Sequence, residues 1–330
     1  MSRLMPALIS ATGLSELDIQ LIVHNAPSRY KKFRVKKRNG DWRVIAQPAR
    51  EVKALQRALA DCCLKHLPVH DAAMAYVPKR SIAHNAEAHA NSGPIKKYDF
   101  SDFFHSIRSH DWEKYCSEHR IFDSEIDYYI SEQLIFQRDK GSRVLKLSIG
   151  APTSPVVSNV LMFNFDTAMS ESVAKDKVTY TRYADDLTFS AQRTGYLTAV
   201  DRQLRDVVRH IDWPKLTINE KKTVLATKKY RRVVTGIVLA NDGGISVGRD
   251  RKREIRAGLH RASLRQLPVT ELSKLCGILA FVKVVEPDFV KRMEERYGTE
   301  VIRYVKAHGS VSRRAPRLSP LPTSQLPDVI

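Results

Sequence analysis

Tyr183-Ala184-Asp185-Asp186 stands between two short apolar-rich runs, Val178-Thr179-Tyr180-Thr181 and Leu187-Thr188-Phe189. Both runs read as strands, which places the four residues at the turn where one strand folds back on the other. Two adjacent carboxylates at a tight turn repel. Either they are solvated turn residues, or their apolar flanks hold water away and leave a charge that needs a cation. A third carboxylate, Asp99, falls near the end of another expected strand, Ile95 to about Phe100. Three acids on adjacent strand ends suit Mg²⁺, which takes oxygen ligands and is commonly held by one or two carboxylates together with substrate phosphates. Two such ions roughly 4 Å apart can activate a hydroxyl and stabilise a departing pyrophosphate. Asp102, three residues further on, is read as a cap for the segment that follows.

The elements that must position these acids are legible around them. Ser15 precedes Asp18 by three residues ahead of Leu17, Leu21 and Ile22, the signature of a capped N-terminal helix. Phe33 and Val35, then Trp42, Val44 and Ala46, alternate about Asn39-Gly40, which predicts a hairpin with a type I′ turn ended by Pro48. Val52, Leu55 and Leu59 recur at helical spacing through about Leu67, and a helical region is expected over roughly Ser109 to Phe136. Ser154-Pro155 reads as a cap and first helical residue ahead of Val156, Val157, Val160, Leu161 and Phe163. Val178 to Tyr183 and Leu187 to Ser190 form the acid-bearing hairpin, and Leu197 to Ile211 an amphipathic helix. Strands are expected over Val233 to Leu239 and Ile245 to Val247, around Asn241-Asp242-Gly243-Gly244. After Gly248 the pattern is helical to about Ala307, and the four-proline stretch from Ser310 reads as a disordered or extended tail.

Fifty-five Lys and Arg against 36 Asp and Glu give 330 residues a formal charge of +19, so polyanions are attracted and nucleic acid is the leading partner class. A merely basic soluble protein is the alternative from charge alone. The excess concentrates between Lys221 and Arg265, with 13 Lys or Arg against Asp242, Asp250 and Glu254. That stretch is expected to follow a phosphate backbone, although it can also be an ordinary solvated helix. Cys62, Cys63, Cys116 and Cys276 lack paired metal or redox spacing and are read as reduced core thiols. No run of 18 apolar residues follows the N-terminus, so neither secretion nor membrane spanning is expected, and the compartment is read as cytoplasmic.

Taken together, these motifs resemble those of a retron reverse transcriptase, in order from about Phe33 to Gly298. Asp99 is similar to the first catalytic aspartate, Tyr183 to Asp186 to the Tyr-x-Asp-Asp turn, and Gly150-Ala151-Pro152-Thr153-Ser154-Pro155 to the Gly-x-x-x-Ser-Pro segment. Asn219 to Thr223 resembles the next motif. Asn85-Ala86-Glu87-Ala88-His89 and Val234-Thr235-Gly236 resemble two short motifs of retron enzymes.

The resemblance implies an α+β fold with the architecture of a right hand. Residues 1–92 would hold the N-terminal helix and fingers, and residues 93–240 an antiparallel palm with fingers elements inserted around 110–150. Residues 241–307 would form a basic helical thumb, and 308–330 the Pro-rich tail. It implies two Mg²⁺ ions, replaceable by Mn²⁺, on Asp99, Asp185, Asp186 and the backbone carbonyl of Phe100. Arg43, Phe103, Phe104 and Gly150 would meet the dNTP. Arg43 takes the triphosphate, or is a solvated strand charge. Phe104 excludes a 2′-hydroxyl, or is core. Lys222 would protonate pyrophosphate, with Lys221 as the competing donor. Ile149 departs from the pattern, since many relatives carry glutamine there. Asn85, His89, Thr235, Arg251, Lys252 and Arg256 are implied RNA contacts, although His89 and Thr235 can equally be architectural. The implied activity is copying of a structured non-coding RNA into DNA from a 2′-hydroxyl primer, giving branched RNA–DNA, with an effector toxin or nuclease in anti-phage defence. Another small bacterial reverse transcriptase and a silent RNA-binding scaffold are the competing readings.

Overall fold

The computed structural model describes residues 2–37 and 40–311. In chain order these form α1 (Leu4–Thr12), α2 (Glu16–Asn25), β1 (Tyr30–Lys36), β2 (Trp42–Pro48), α3 (Arg50–Cys62), α4 (Ile82–Ala90), β3 (Ile95–Asp99), α5 (Phe103–Ser106), α6 (Ser109–His119), α7 (Glu125–Ile135), β4 (Gln137–Arg138) and β5 (Leu145–Lys146). Then follow α8 (Ser154–Leu161), α9 (Phe163–Ala174), β6 (Thr179–Tyr183), β7 (Asp186–Ser190), α10 (Val200–His210), β8 (Val224–Ala226), β9 (Arg232–Val234), β10 (Ile237–Leu239) and β11 (Ile245–Ser246). Four helices end the described chain: α11 (Arg249–Ser263), α12 (Val269–Val285), α13 (Pro287–Tyr297) and α14 (Thr299–Val311).

The chain divides into two compact units. The first is Met1–Thr235 with Asn241–Gly244, so residues on both sides of position 92 belong to one unit. At its centre lies a four-stranded antiparallel sheet in the order β6-β7-β3-β8. Helices supply the core against it. In α3 the i, i+3, i+7 positions Val52, Leu55 and Leu59 are fully buried, the stripe expected of an amphipathic helix. Trp112, Phe136, Phe165 and Phe189 fill the same core. The second unit, Gly236–Ala240 with the chain from Ile245, contains the β10–β11 pair and α11 to α14, with Leu259, Leu279, Phe289 and Val305 buried.

Several sequence expectations need correction. The helix capped by Ser15 is α2, with Ser15 accepting from Asp18 N at 3.2 Å, but a further helix, α1, precedes it and ends at Gly13, φ +70°. The fingers turn is longer than two residues: Lys36 pairs with Trp42, and Lys37 N donates to Asp41 O at 2.6 Å. Arg38 and Asn39, part of the expected type I′ turn, lie outside the described residues. The helical region over 109–136 breaks at Arg120, which ends α6 at φ +48°. Thr153, not Ser154, is the residue before α8, and Phe163 starts α9. Asp102 precedes α5 but its carboxylate does not cap it; it binds His105 Nδ1 at 2.6 Å. The strand expected over Val233 to Leu239 is interrupted by Thr235 and Gly236, both at positive φ. Cys116 is buried but Cys62 is exposed. Residues 308–311, assigned to the tail, continue α14, and residues 312–330 lie outside the described residues. Among the described residues no single helix is long and apolar enough to cross a membrane.

Candidate active site

The carboxylates are delivered by strand register. β3 pairs antiparallel with β7 so that Asp99 stands opposite Asp186, and β6 pairs with β7 so that Tyr183 also stands opposite Asp186. Only Ala184 and Asp185 are left to make the turn. Ala184 takes φ +58°, the left-handed conformation that a tight hairpin demands of its first central residue. Phe100 N donates to Asp185 O at 3.1 Å, which ties the turn to the end of β3. Asp99 O accepts from Asn219 N at 2.7 Å, so the segment before Lys222 is fixed to the same strand end.

The three acids crowd one another. Burial, then the charges of Asp186 and Asp99, push the Asp185 carboxyl up to about 6. Burial raises Asp186 as well, and Asp99 adds to it while Lys97 and Lys222 oppose. Lys222 Nζ lies 2.8 Å from both carboxylate oxygens of Asp99. Burial pulls this ammonium down, but the bond to Asp99 and the charges of all three acids outweigh it and hold its pKa above the ordinary value. As they stand, no three ligating side chains among the described residues close around one point, and Lys222 is bound to Asp99. The donor set nevertheless fits a divalent cation: hard oxygens only, mutually repelling, and at strand ends where Lys97 and Lys222 offset only part of the negative charge.

Beneath the turn lies a pair that the sequence reading missed. Arg182 and Asp166 are both wholly buried, joined through Arg182 Nε and Nη2 at 2.6 to 3.1 Å. Tyr180 Oη donates to the same carboxylate at 2.8 Å. Arg182 Nη1 donates to Asn159 Oδ1 at 3.1 Å and to Ala184 O at 3.2 Å, so this arginine props the aspartate turn from below. A signal was present: Arg182 is two residues from Tyr180 and so shares its inward face, and an arginine there demands an acid.

Arg43 is exposed on β2, opposite Val35. Phe103 is corrected from a nucleotide contact to core, since it is buried and stacked on Phe100 at 6.1 Å. Phe104 is half-buried and meets Phe103 edge-on at 5.4 Å. Gly150 takes φ +131°, and a Cβ there would lie 2.7 Å from Ala46 O. Ile149 O accepts from Ala46 N at 2.9 Å, so the departure from glutamine leaves this backbone contact to the fingers strand in place.

The residues implied to contact RNA are corrected more heavily. Asn85 and His89 are buried on α4. His89 Nδ1 lies 2.6 Å from Ser190 Oγ and Nε2 lies 2.8 Å from Thr181 Oγ1, while Thr181 donates to Asn85 Oδ1 at 2.6 Å. Burial lowers the His89 pKa to about 4, so the ring is neutral and serves as donor and acceptor between β6 and β7. Thr235 Oγ1 donates to Ile82 O at 3.1 Å, at the first residue of the same helix. Arg232, which sequence reasoning also missed, donates to the carbonyls of Ser92 and Gly93 just beyond it. Both short motifs thus converge on α4. In α11, Lys252 is bound to Glu286 and lies over Phe289 at 5.4 Å, with Arg256 over the same ring and Arg251 over Phe281 at 5.0 Å. Lys252 is corrected to an internal tie, whereas Arg256 remains exposed.

An antiparallel sheet carrying one aspartate opposite an Asp-Asp turn, backed by helices, defines a polymerase palm. Residues 35–251 match the family described as reverse transcriptase (RNA-dependent DNA polymerase), and the chain belongs to that family. It is 32% identical over 294 residues to the retron Ec83 reverse transcriptase of Escherichia coli, covering 88% of this chain and 94% of that one. To the retron Ec73 reverse transcriptase of Escherichia coli it is 32% identical over 317 residues, covering 92% and 98%. The protein is therefore an RNA-directed DNA polymerase of the retron group, and such enzymes use divalent metal ions.

Proposed function

We propose that this polymerase copies part of its own structured non-coding RNA into single-stranded DNA, starting from a 2′-hydroxyl of that RNA, and so makes a branched RNA–DNA molecule. The observation that carries the catalytic reading is the strand register that sets Asp99 opposite Asp186 with Asp185 at the adjoining turn. Likeness to the retron enzymes supports the priming reading. Asp99, Asp185, Asp186 and the carbonyl of Phe100 would hold two Mg²⁺ ions, with Mn²⁺ as a substitute. When bound, they supply a more acidic attacking hydroxyl and charge stabilisation on the leaving pyrophosphate.

The chain's own groups do the rest. Arg43 presents a guanidinium fork to the triphosphate. Phe104 packs under the sugar, and Gly150, whose missing side chain lets the Ala46 carbonyl close in, meets the nucleotide through its backbone. Lys222, held protonated beside Asp99, carries the proton that pyrophosphate takes up. The basic face of α11 follows the phosphates of the RNA. A toxin or nuclease effector, a role in phage defence and a cytoplasmic location complete the reading.

The test is Asp185→Asn, assayed by primer extension on an RNA template with Mg²⁺. The rate is expected to fall below about a tenth of wild type, a loss of more than about 1.4 kcal/mol in the transition state, with RNA affinity nearly intact. A higher residual rate contradicts the role. Sequencing of nucleic acid that co-purifies with the protein and its native upstream region tests the priming: one abundant branched species is expected, and linear DNA alone favours another small bacterial reverse transcriptase.

A further inference from the structure

Tyr76 has no part in the reading above, yet both its backbone and its ring are constrained. Its φ is +62°, a left-handed conformation that a bulky residue keeps only when its surroundings impose it. The imposing surroundings are a clamp on the preceding loop. Arg182 N donates to Ala72 O, Met74 N to Arg182 O and Asn159 Nδ2 to Ala75 O, each at 2.7 Å. Arg80 Nη1 adds bonds to Asp71 O at 2.9 Å and Ala73 O at 2.7 Å. Arg182 and Asn159 also hold the aspartate turn or its support, so the loop is fixed relative to the catalytic carboxylates.

The ring held there is 48% exposed. Its partner is Phe104, with centroids 6.5 Å apart and planes at 58°. Phe104 is thereby flanked by two rings, the rigid, buried Phe103 and the clamped Tyr76. The charges of Asp185 and Arg43 both act on the Tyr76 phenol, so it lies within electrostatic reach of the groups assigned to metal and triphosphate. Stability alone does not account for the arrangement. Glycine would take the left-handed backbone without strain, and the exposed half of the ring gains nothing from burial.

We propose that Tyr76 is a positioning residue of the nucleotide site: its ring braces Phe104 and thereby sets how strictly the pocket rejects a 2′-hydroxyl. This rests on Phe104 being the sugar gate. Without the brace Phe104 has freedom to turn away from Phe103, and a ribose gains room. With it, the gate is held from both sides.

Single-nucleotide addition to a primed template, with matched deoxyribo- and ribonucleotides, gives the ratio of kcat/KM values that tests this. Phe104→Ala should raise relative ribonucleotide use, and Tyr76→Gly should raise it about tenfold, with a cooperative thermal transition showing that the variant is folded. Tyr76→Phe, which keeps the ring, should stay within about twofold of wild type. The double variant should discriminate no worse than Phe104→Ala, because the two residues act as one unit. The bracing role is overturned if Tyr76→Gly leaves the ratio unchanged while Phe104→Ala shifts it, if Tyr76→Phe is as defective as Tyr76→Gly, or if the two losses add in full. If Phe104→Ala itself leaves the ratio unchanged, the gate reading falls and the brace with it.

Discussion

Two clusters of charge belong to the same palm sheet and are built by opposite rules. Arg182 and Asp166 are wholly buried, and their charges balance one to one, with Tyr180 and Asn159 taking up further hydrogen-bonding capacity. A few residues along, Asp99, Asp185 and Asp186 crowd together, and Lys222, whose side chain is 55% exposed, bonds only one of them. The first cluster is closed to any ligand. The second carries a surplus of negative charge, which adds to burial in pushing the Asp185 carboxyl up to about 6. Asp99 is buried like the first pair while Asp185 and Asp186 are half-buried, so burial alone does not mark function here. Imbalance does.

The largest way to break this comparison is to unbalance the closed cluster. Asp166→Asn should destabilise the protein by about 3–5 kcal/mol, because it strands a buried guanidinium, and chemical denaturation measures it. Arg182→Met with Asp166→Leu should recover much of that loss. A small effect of the single change would show the pair to be less closed than its geometry says.

His89 sharpens the contrast by being buried and uncharged. Its folded pKa near 4 lies below the usual 6.5, so the unfolded chain takes the proton first. Stability from this group is complete above about pH 6.5 and is lost as pH falls toward 4. Between pH 7.5 and pH 5 the loss should be about 2 kcal/mol, and His89→Gln should remove that part of the slope. An unchanged slope would mean that the ring is not held neutral.

Unbalancing the open cluster should have the opposite sign. In metal-free buffer at pH 8, Asp185→Asn should stabilise the protein by about 1 kcal/mol, because it deletes a charge that burial and two neighbours disfavour. Calorimetry with a chelator present reads this beside the lost polymerisation. Destabilisation would place Asp185 with the structural residues.

The smallest effect is at Thr235, whose Val variant loses the bond to Ile82 O at a cost of about 0.5–1.5 kcal/mol. Cognate and unrelated RNA should then be affected equally in binding titrations. A selective loss for the cognate RNA, with stability unchanged, would return Thr235 to RNA reading.

The acid-bearing turn was legible because its chemistry is local: two adjacent carboxylates between strand-like runs have few folds open to them. β3, the hairpin β6–β7 and the amphipathic α3 were legible for the same reason, each being written in its own periodicity. What escaped was polar and non-local. His89 finds Thr181 and Ser190 some ninety to a hundred positions away, and Arg182 finds Asp166 from a neighbouring helix. Single-sequence pattern gives such side chains no address, so buried Asn85 is read as a contact to RNA and buried His89 stays open between RNA and architecture. Backbone conformation escaped too. The left-handed Thr235 splits a run that by composition is one strand, and Tyr76, equally left-handed, drew no notice.

The contact between Ala46 N and Ile149 O has a practical bearing on engineering this enzyme. It is made by main-chain atoms alone, so changing the side chain at 149 does not delete it. Position 149 can therefore be varied, to test whether its side chain bears on nucleotide preference, while β2 keeps its attachment. Position 150 offers no such freedom, because any side chain there must displace the Ala46 carbonyl. A screen that randomises both together will therefore read misplaced fingers as altered selectivity, whereas one confined to 149 will separate the two.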